Sequence, residues 1–340
     1  MLLRRANVIA MILVILVSDG GCKRSTKPEP SGRQKVTICQ FAQVFVYLPL
    51  YVANEKGFFR DEGLDVSLIN GGGDDKTFAA VASGQAQFGV ADPTFAAIAR
   101  EKGQPGLVLA TVVNGATFWG ITKKAEISKI TTPEQLKNLR IATYQSPSTN
   151  YTLMAETLKK NESVVGNAKI VQGAFGTLLA MLDADTADVA MELEPTVSIA
   201  QKQGAHVVYS YPEMYGPFML TGLYTTEDFR KKNPEICQKA VNALERAMQY
   251  AHDDPEGTIA VARKVFADLD PDVVENAVHR MLEEKTIPQH ARISPDAWKN
   301  AIAVRLDVGD LKSQKVGDET IDSSFADKAA DSIRLGAAKQ

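Results

Sequence analysis

The chain is poor in the residues that most often carry chemistry. Its 340 residues include three cysteines, four histidines and two tryptophans. Three cysteines are too few for a disulfide framework. Cys39 falls in a β-patterned run and Cys237 in a helical one, where a thiol serves as a small apolar residue. A bond between the two stays open for a chain outside the cytoplasm. The histidines are His206, His252, His279 and His290, and satisfied or surface roles account for them. There is no His-Glu-x-x-His, no Gly-x-Ser-x-Gly and no phosphate-loop lysine motif. No catalytic residue, metal ligand or cofactor is therefore expected. Positive charge is not in excess: 38 Lys and Arg stand against 41 Asp and Glu. That balance argues against a nucleic-acid partner, which wants a basic face.

The apolar run Val8 to Val17 is too short and too early for a membrane span. It follows Arg4 and Arg5 and precedes Ser18-Asp19-Gly20-Gly21-Cys22. The stretch resembles a bacterial lipoprotein signal, in which Cys22 becomes the acylated N-terminus. Asp19 stands where such signals usually carry an apolar residue, and a plain secretory signal with an incidental cysteine is the alternative. Residues 1–21 are thus expected to be an export signal. Residues 22–35 are polar, with Pro28, Pro30, Ser31 and Gly32, and are expected to be a flexible tether. A tether behind one lipid chain would hold a soluble domain weakly at a membrane surface.

From Val36 onward the pattern is βα. Val36 to Gln40 reads as a strand. Pro49 suits the first turn of a helix, and Gly57 and Gly63 suit left-handed turns. Leu64, Val66 and Leu68 alternate as in a half-buried strand. A glycine-rich turn, Gly71-Gly72-Gly73, then opens a helix from Asp75 to Ser83, with Phe78, Val81 and Ala82 on its apolar face. Phe88 to Val90 is a strand, and Asp92-Pro93 signals a helix start. After the strand Leu107 to Val113 the segment Ala116 to Thr122 leads to a second set of βα units. There Thr132-Pro133-Glu134-Gln135 reads as a capping box, Arg140 to Thr143 as a strand and Phe175 to Leu182 as a helix. Met214 to Tyr224 is the return crossing. Helices at 227–232, 234–252, 255–267 and 271–284 follow, and without βα loops of their own they are expected to cover the first lobe.

Open βα sheets bind ligands at the carboxyl ends of their strands. The loops there contain Phe45 and Tyr47; Gly72, Gly73 and Asp74; Asp92; Tyr144, Ser146, Ser148 and Thr149; Gln172 and Phe175; and Glu192 and Glu194. Trp119 stands at the first crossing. Apart from Lys76, already inside its helix, these loops hold no lysine or arginine. A dedicated anion site more often places a guanidinium or ammonium there. Aromatic faces with carboxylates suit a neutral or cationic nitrogen-bearing ring. For each aromatic residue core packing is the competing role, and for Asp92 and Glu194 it is helix capping. The glycines either let backbone N–H groups approach a ligand or form a plain turn.

Pro49-Leu50-Tyr51-Val52-Ala53-x-Glu55-Lys56-Gly57-Phe58-Phe59, followed by Glu62-Gly63-Leu64-Asp65-Val66, resembles the opening of the ABC-importer substrate-binding proteins for nitrate, sulfonates, taurine and thiamine-pyrimidine precursors. Further similar stretches are Ser83-Gly84-Gln85-Ala86-Gln87-Phe88-Gly89, Leu136 to Ile141, Ala187 to Ala190 with Glu194-Pro195, and Asp322 to Phe325. The resemblance implies an α/β type II periplasmic-binding fold. Residues 36–118 with 222–340 would form lobe one and 119–221 lobe two, closing on a small solute between them. It implies an exported protein partnered by a membrane permease. Within the family, the loop composition points to a small aromatic or nitrogen-heterocyclic solute, such as a pyrimidine, with an alkanesulfonate, taurine or nitrate as the alternative. An enzyme of thiamine-pyrimidine synthesis shares the fold, but it works with a cysteine-rich motif that this chain lacks.

Overall fold

The computed structural model describes residues 32–337, and of these residues 33–337 group as one compact unit. The expected export signal, Cys22 and most of the expected tether lie outside the described residues.

Two five-stranded sheets organise the chain. The strands are β1 (Gln34–Gln40), β2 (Leu64–Asn70), β3 (Phe88–Ala91), β4 (Gly106–Asn114), β5 (Trp119–Thr122), β6 (Arg140–Tyr144), β7 (Lys169–Gly173), β8 (Val189–Glu192), β9 (His206–Ser210) and β10 (Met219–Thr226). The first sheet has the order β2-β1-β3-β10-β4 and the second β7-β6-β8-β5-β9. Each is parallel except for one strand. β10 runs antiparallel to β3 and β4, and β5 runs antiparallel to β8 and β9. These two are the strands that have just arrived from the other sheet. The crossings are therefore built into the sheets and anchor both lobes to the hinge. The expected lobe boundary at 221 falls inside β10, whose pairing with β4 already starts at Met219. Gln34 and Lys35, expected in the tether, pair with Leu64 and Asp65 instead.

Helices α1 (Leu48–Glu55), α2 (Phe58–Asp61), α3 (Asp74–Ala82) and α4 (Thr94–Glu101) serve the first sheet, and α5 (Thr149–Lys160), α6 (Leu178–Asp183) and α7 (Thr196–Lys202) the second. α8 (Tyr211–Tyr215) sits at the return crossing, and α9 (Glu227–Lys232) follows β10. Pro49 lies in the first turn of α1, and Gly57 and Gly63 have φ of 81° and 78°. The capping box at Thr132 is made, though around a 3-10 turn, Pro133–Leu136. On α3 the inward face is Thr77, Phe78, Ala80 and Val81, while Ala82 is exposed. Phe175 lies before α6 rather than in it, since regular helix starts only at Leu178.

The rest is α10 (Pro234–Asp253), α11 (Pro255–Val265), α12 (Pro271–Glu283), α13 (Pro295–Val308), α14 (Gln314–Asp318) and α15 (Ser324–Ala337). α10 packs on α1 and α15, as a cover for the first lobe would. α12 and α13 depart from the expected arrangement, because they also pack against α7 and α5 of the second lobe. Cys39 and Cys237 are both buried free thiols, so the open question of a bond between them is answered in the negative. Burial raises both thiol pKa values, to about 12 at Cys237.

Candidate functional site

The carboxyl ends of the strands meet across the lobes around a cavity of about 40 Å³. Phe41, Val44, Val46 and Tyr47 reach it from the segment after β1, Asp74 from the start of α3 and Asp92 from the β3–α4 turn. The second lobe supplies Tyr144, Ser148, Thr149, Asn150 and Leu193, and the crossings supply Phe118, Leu220 and Thr221. A space of this volume holds a few waters at most.

Of the residues singled out in the sequence, Tyr47, Asp74, Asp92, Tyr144, Ser148 and Thr149 come together here. The others go elsewhere for definite reasons. Phe45 is fully buried and stacks on Phe266 at 4.9 Å, the core-packing role. The Gly71 and Gly72 N–H groups donate to the Gln40 and Phe41 carbonyls at 2.8 and 2.7 Å, so they secure a turn instead of facing a ligand. Gly73 accepts from the Thr77 hydroxyl in the first turn of α3. Gln172 is exposed and its Oε1 accepts from the Ser146 N–H at 2.9 Å, tying two loops together outside the cavity. Trp119 is fully buried and its indole N–H donates to Glu284 at 2.8 Å. Glu194 is also buried. Its carboxyl accepts from Ser198 and from Arg280 Nε at 2.7 Å. Trp119 and Glu194 thus join the second lobe to α12. Phe175 is 48% exposed and lies at the rim, edge-on to Phe41 of the first lobe at 5.5 Å and to Tyr144 at 5.2 Å.

Glu192 stands just behind the wall. Its Oε2 accepts from the Tyr144 hydroxyl, and its Oε1 has no partner among the described residues. Burial pushes its carboxyl up to about 7. Burial also raises the Tyr144 phenol, with the adjacent Glu192 adding to the effect.

The two acids on the cavity are in different situations. Asp92 uses Oδ1 to cap α4, accepting from the Thr94 N–H at 2.8 Å and its hydroxyl at 2.6 Å. Its Oδ2 accepts from the Thr149 hydroxyl of the second lobe and from Arg305 Nη2 at 2.8 Å. Asp74 uses Oδ1 to accept the Asp92 N–H at 3.0 Å, and among the described residues no lysine, arginine or histidine bonds it. Burial first, and then the Asp92 charge, hold the Asp74 carboxyl well above the usual carboxylate range.

Arg305 was out of reach of loop-by-loop reading. It lies on α13, over 200 residues along the chain from Asp92. The absence of arginine from the strand-end loops therefore does not leave the site without one. A guanidinium does stand behind the wall, but its donors go to Thr94, Pro147, Thr152, Asp310, Asp92 and Thr149. Among the described residues no cluster of three or more His, Cys, Asp or Glu is placed to hold a metal ion, and no helix is long and apolar enough to cross a membrane.

The chain is 23% identical over 298 residues to a Bacillus subtilis (strain 168) protein named "Putative binding protein YtlA", covering 86% of this chain and 89% of that one. Its fold is shared with the alkanesulfonate-binding protein SsuA from Xanthomonas axonopodis pv. citri (TM-score 0.63, 17% identity, 87% and 97% of the two chains). It is shared equally with the periplasmic nitrate-binding protein NrtA from Synechocystis PCC 6803 (TM-score 0.69, 12% identity, 90% of each chain). One structural neighbour is an enzyme, the desulfurization enzyme DSZB (TM-score 0.66, 13% identity, 88% and 99%). The family model described as NMT1/THI5 like matches residues 44–258, more than half of the chain, and the two sheets with their interlobe cavity are the fold of periplasmic binding proteins: this chain belongs to the NMT1/THI5-like family.

Proposed function

We propose that the chain is the extracytoplasmic solute-binding component of an ABC importer, and that its lobes close on a small neutral or cationic solute carrying N–H donors, such as an aminopyrimidine. One observation carries the choice of solute. Asp74 is the cavity acid to which no cation among the described residues is bonded, and it lies among the aromatic side chains of Phe41, Tyr47, Phe118 and Tyr144. A buried carboxyl in that state favours a ligand that donates a hydrogen bond or brings positive charge. Aromatic walls favour a flat ring. A membrane permease would recognise the closed form, which a solute favours only by binding it better than the open one.

A sulfonate or nitrate, the kind of solute named for two of the structural neighbours, finds no lysine or arginine on the cavity wall. An enzyme reading gains little, since neither cysteine nor histidine lines the cavity. A thermal-shift panel with 4-aminopyrimidine, cytosine, methanesulfonate and nitrate tests the proposal. The melting temperature is expected to rise with the rings and not with the anions. The reverse order overturns the solute class, and chemical turnover of a bound ring overturns the binding role.

A further inference from the structure

The environment of Asp92 is that of a bound anion. Its Oδ2 receives the Arg305 guanidinium and the Thr149 hydroxyl, and its Oδ1 receives the N–H and the hydroxyl of Thr94. Asp92 is 4% exposed and Arg305 1%. The hydroxyl bonds run in one consistent direction. Thr94 Oγ1 donates to Asp92 and accepts from Arg305 Nε at 3.0 Å. Thr149 Oγ1 donates to Asp92 and accepts from Arg305 Nη2 at 3.2 Å. A buried guanidinium bonded to a carboxylate between two hydroxyl donors is the coordination that a carboxylate or sulfonate solute seeks in a cleft. The anion in this position is a side chain of the first lobe, and part of its shell, Thr149, comes from the second.

We propose that Asp92 is a specificity-determining residue that fills, as a tethered anion, an anion subsite at the cleft wall, formed by Arg305 and Thr94 behind it and by Thr149 on it, and so refuses solutes bearing a carboxylate or sulfonate. This deepens the reading of the cleft given above and rests on it for the word solute. The subsite itself is a property of the chain whatever the natural solute. Asp310 Oδ2, 2.8 Å from Arg305 Nη1, is a second counter-charge. It leaves the guanidinium compensated even with Asp92 removed, so Arg305 does not depend on Asp92 alone to stay buried.

Removal of the tethered anion should open the subsite to free ones. The test uses the protein with Asp92→Ala, and Asp92→Asn as a filled but uncharged control. Melting is followed at pH 7.5 in about 100 mM acetate or methanesulfonate against equal chloride, a concentration well above a weak Kd. The expected result is a rise of several degrees for Asp92→Ala and none for the unsubstituted protein or Asp92→Asn. If Asp92→Ala folds only in part, acetate and methanesulfonate should restore its far-ultraviolet circular dichroism where chloride does not. The inference is overturned if Asp92→Ala, folded or part-folded, responds to these anions no more than the unsubstituted protein does. Failure of the ring panel with success of this rescue would remove the proposed solute and leave the subsite standing. Success of the panel with failure of the rescue would do the opposite.

Discussion

Asp74 and Asp92 are bonded side chain to backbone: Asp74 Oδ1 accepts the Asp92 N–H at 3.0 Å, while the Asp92 carboxylate turns away to Arg305. Of the two acids on the cavity, one is therefore already paired with a cation and the other, among the described residues, is not. Asn at 74 keeps an oxygen for the Asp92 N–H but loses the charge. Asp74→Asn is expected to leave melting within a few degrees and to weaken a cationic ring about 10–100-fold, or roughly 1.4–2.7 kcal/mol. Because burial and Asp92 lift the Asp74 carboxyl, affinity for a cation should rise with pH across the neutral range. Calorimetric titration from pH 6 to 8 checks both.

Glu192 makes stability depend on pH. Its carboxyl is raised from 4.5 to about 7 in the folded chain by burial. Between these values the folded state keeps a proton that the unfolded state has lost. This contribution to stability therefore falls as pH rises from about 4.5 to about 7 and is flat above that. Glu192→Gln, neutral throughout, should flatten this part of the profile and gain on the order of 1–3 kcal/mol at pH 8 relative to the unsubstituted protein. Urea unfolding at pH 5 and pH 8 measures it.

Arg280 and Glu194 hold α12 to the second lobe. Glu194 is buried to its carboxyl, and Arg280 is its one cationic partner among the described residues, at 2.7 Å. Arg280→Leu should cost roughly 2–4 kcal/mol by stranding a buried charge, and Glu194→Gln in the same chain should restore most of that. Denaturant midpoints of the two single variants and the double variant give the coupling.

Phe175 of the second lobe reaches across to the first through its edge contact with Phe41, while its contact with Tyr144 stays within the second lobe. Phe175→Ala should speed solute release about 2–10-fold, the equivalent of one aromatic pair, with little change in melting. Stopped-flow dissociation is the measurement.

The sequence showed the local devices and missed the distant ones. Pro49, Gly57 and Thr132 act through neighbours a few residues away, so their roles are visible in a linear pattern. Tyr47, Asp74, Asp92 and Tyr144 sit at strand ends, a position that topology alone marks as a cleft wall. Trp119 and Glu194 stand at similar positions, but their polar atoms are taken by Glu284 and Arg280 of α12. Nothing in a loop sequence announces a partner that far along the chain. Arg305 is the same case. Its helix stands outside the helices read from the sequence, and where its guanidinium goes is decided by how α13 lies between α4 and α5. Phe41 and Phe118, both in contact with the cavity, stood in segments read as connections.

The central claim is that the cleft takes a nitrogen-bearing ring and refuses anions. Isothermal titration of the protein at pH 7.5 with 4-aminopyrimidine and, separately, with methanesulfonate tests it most directly. The expected result is saturable heat with one site for the ring and none for the sulfonate. Saturable one-site binding of methanesulfonate, with no heat from the ring, would contradict it.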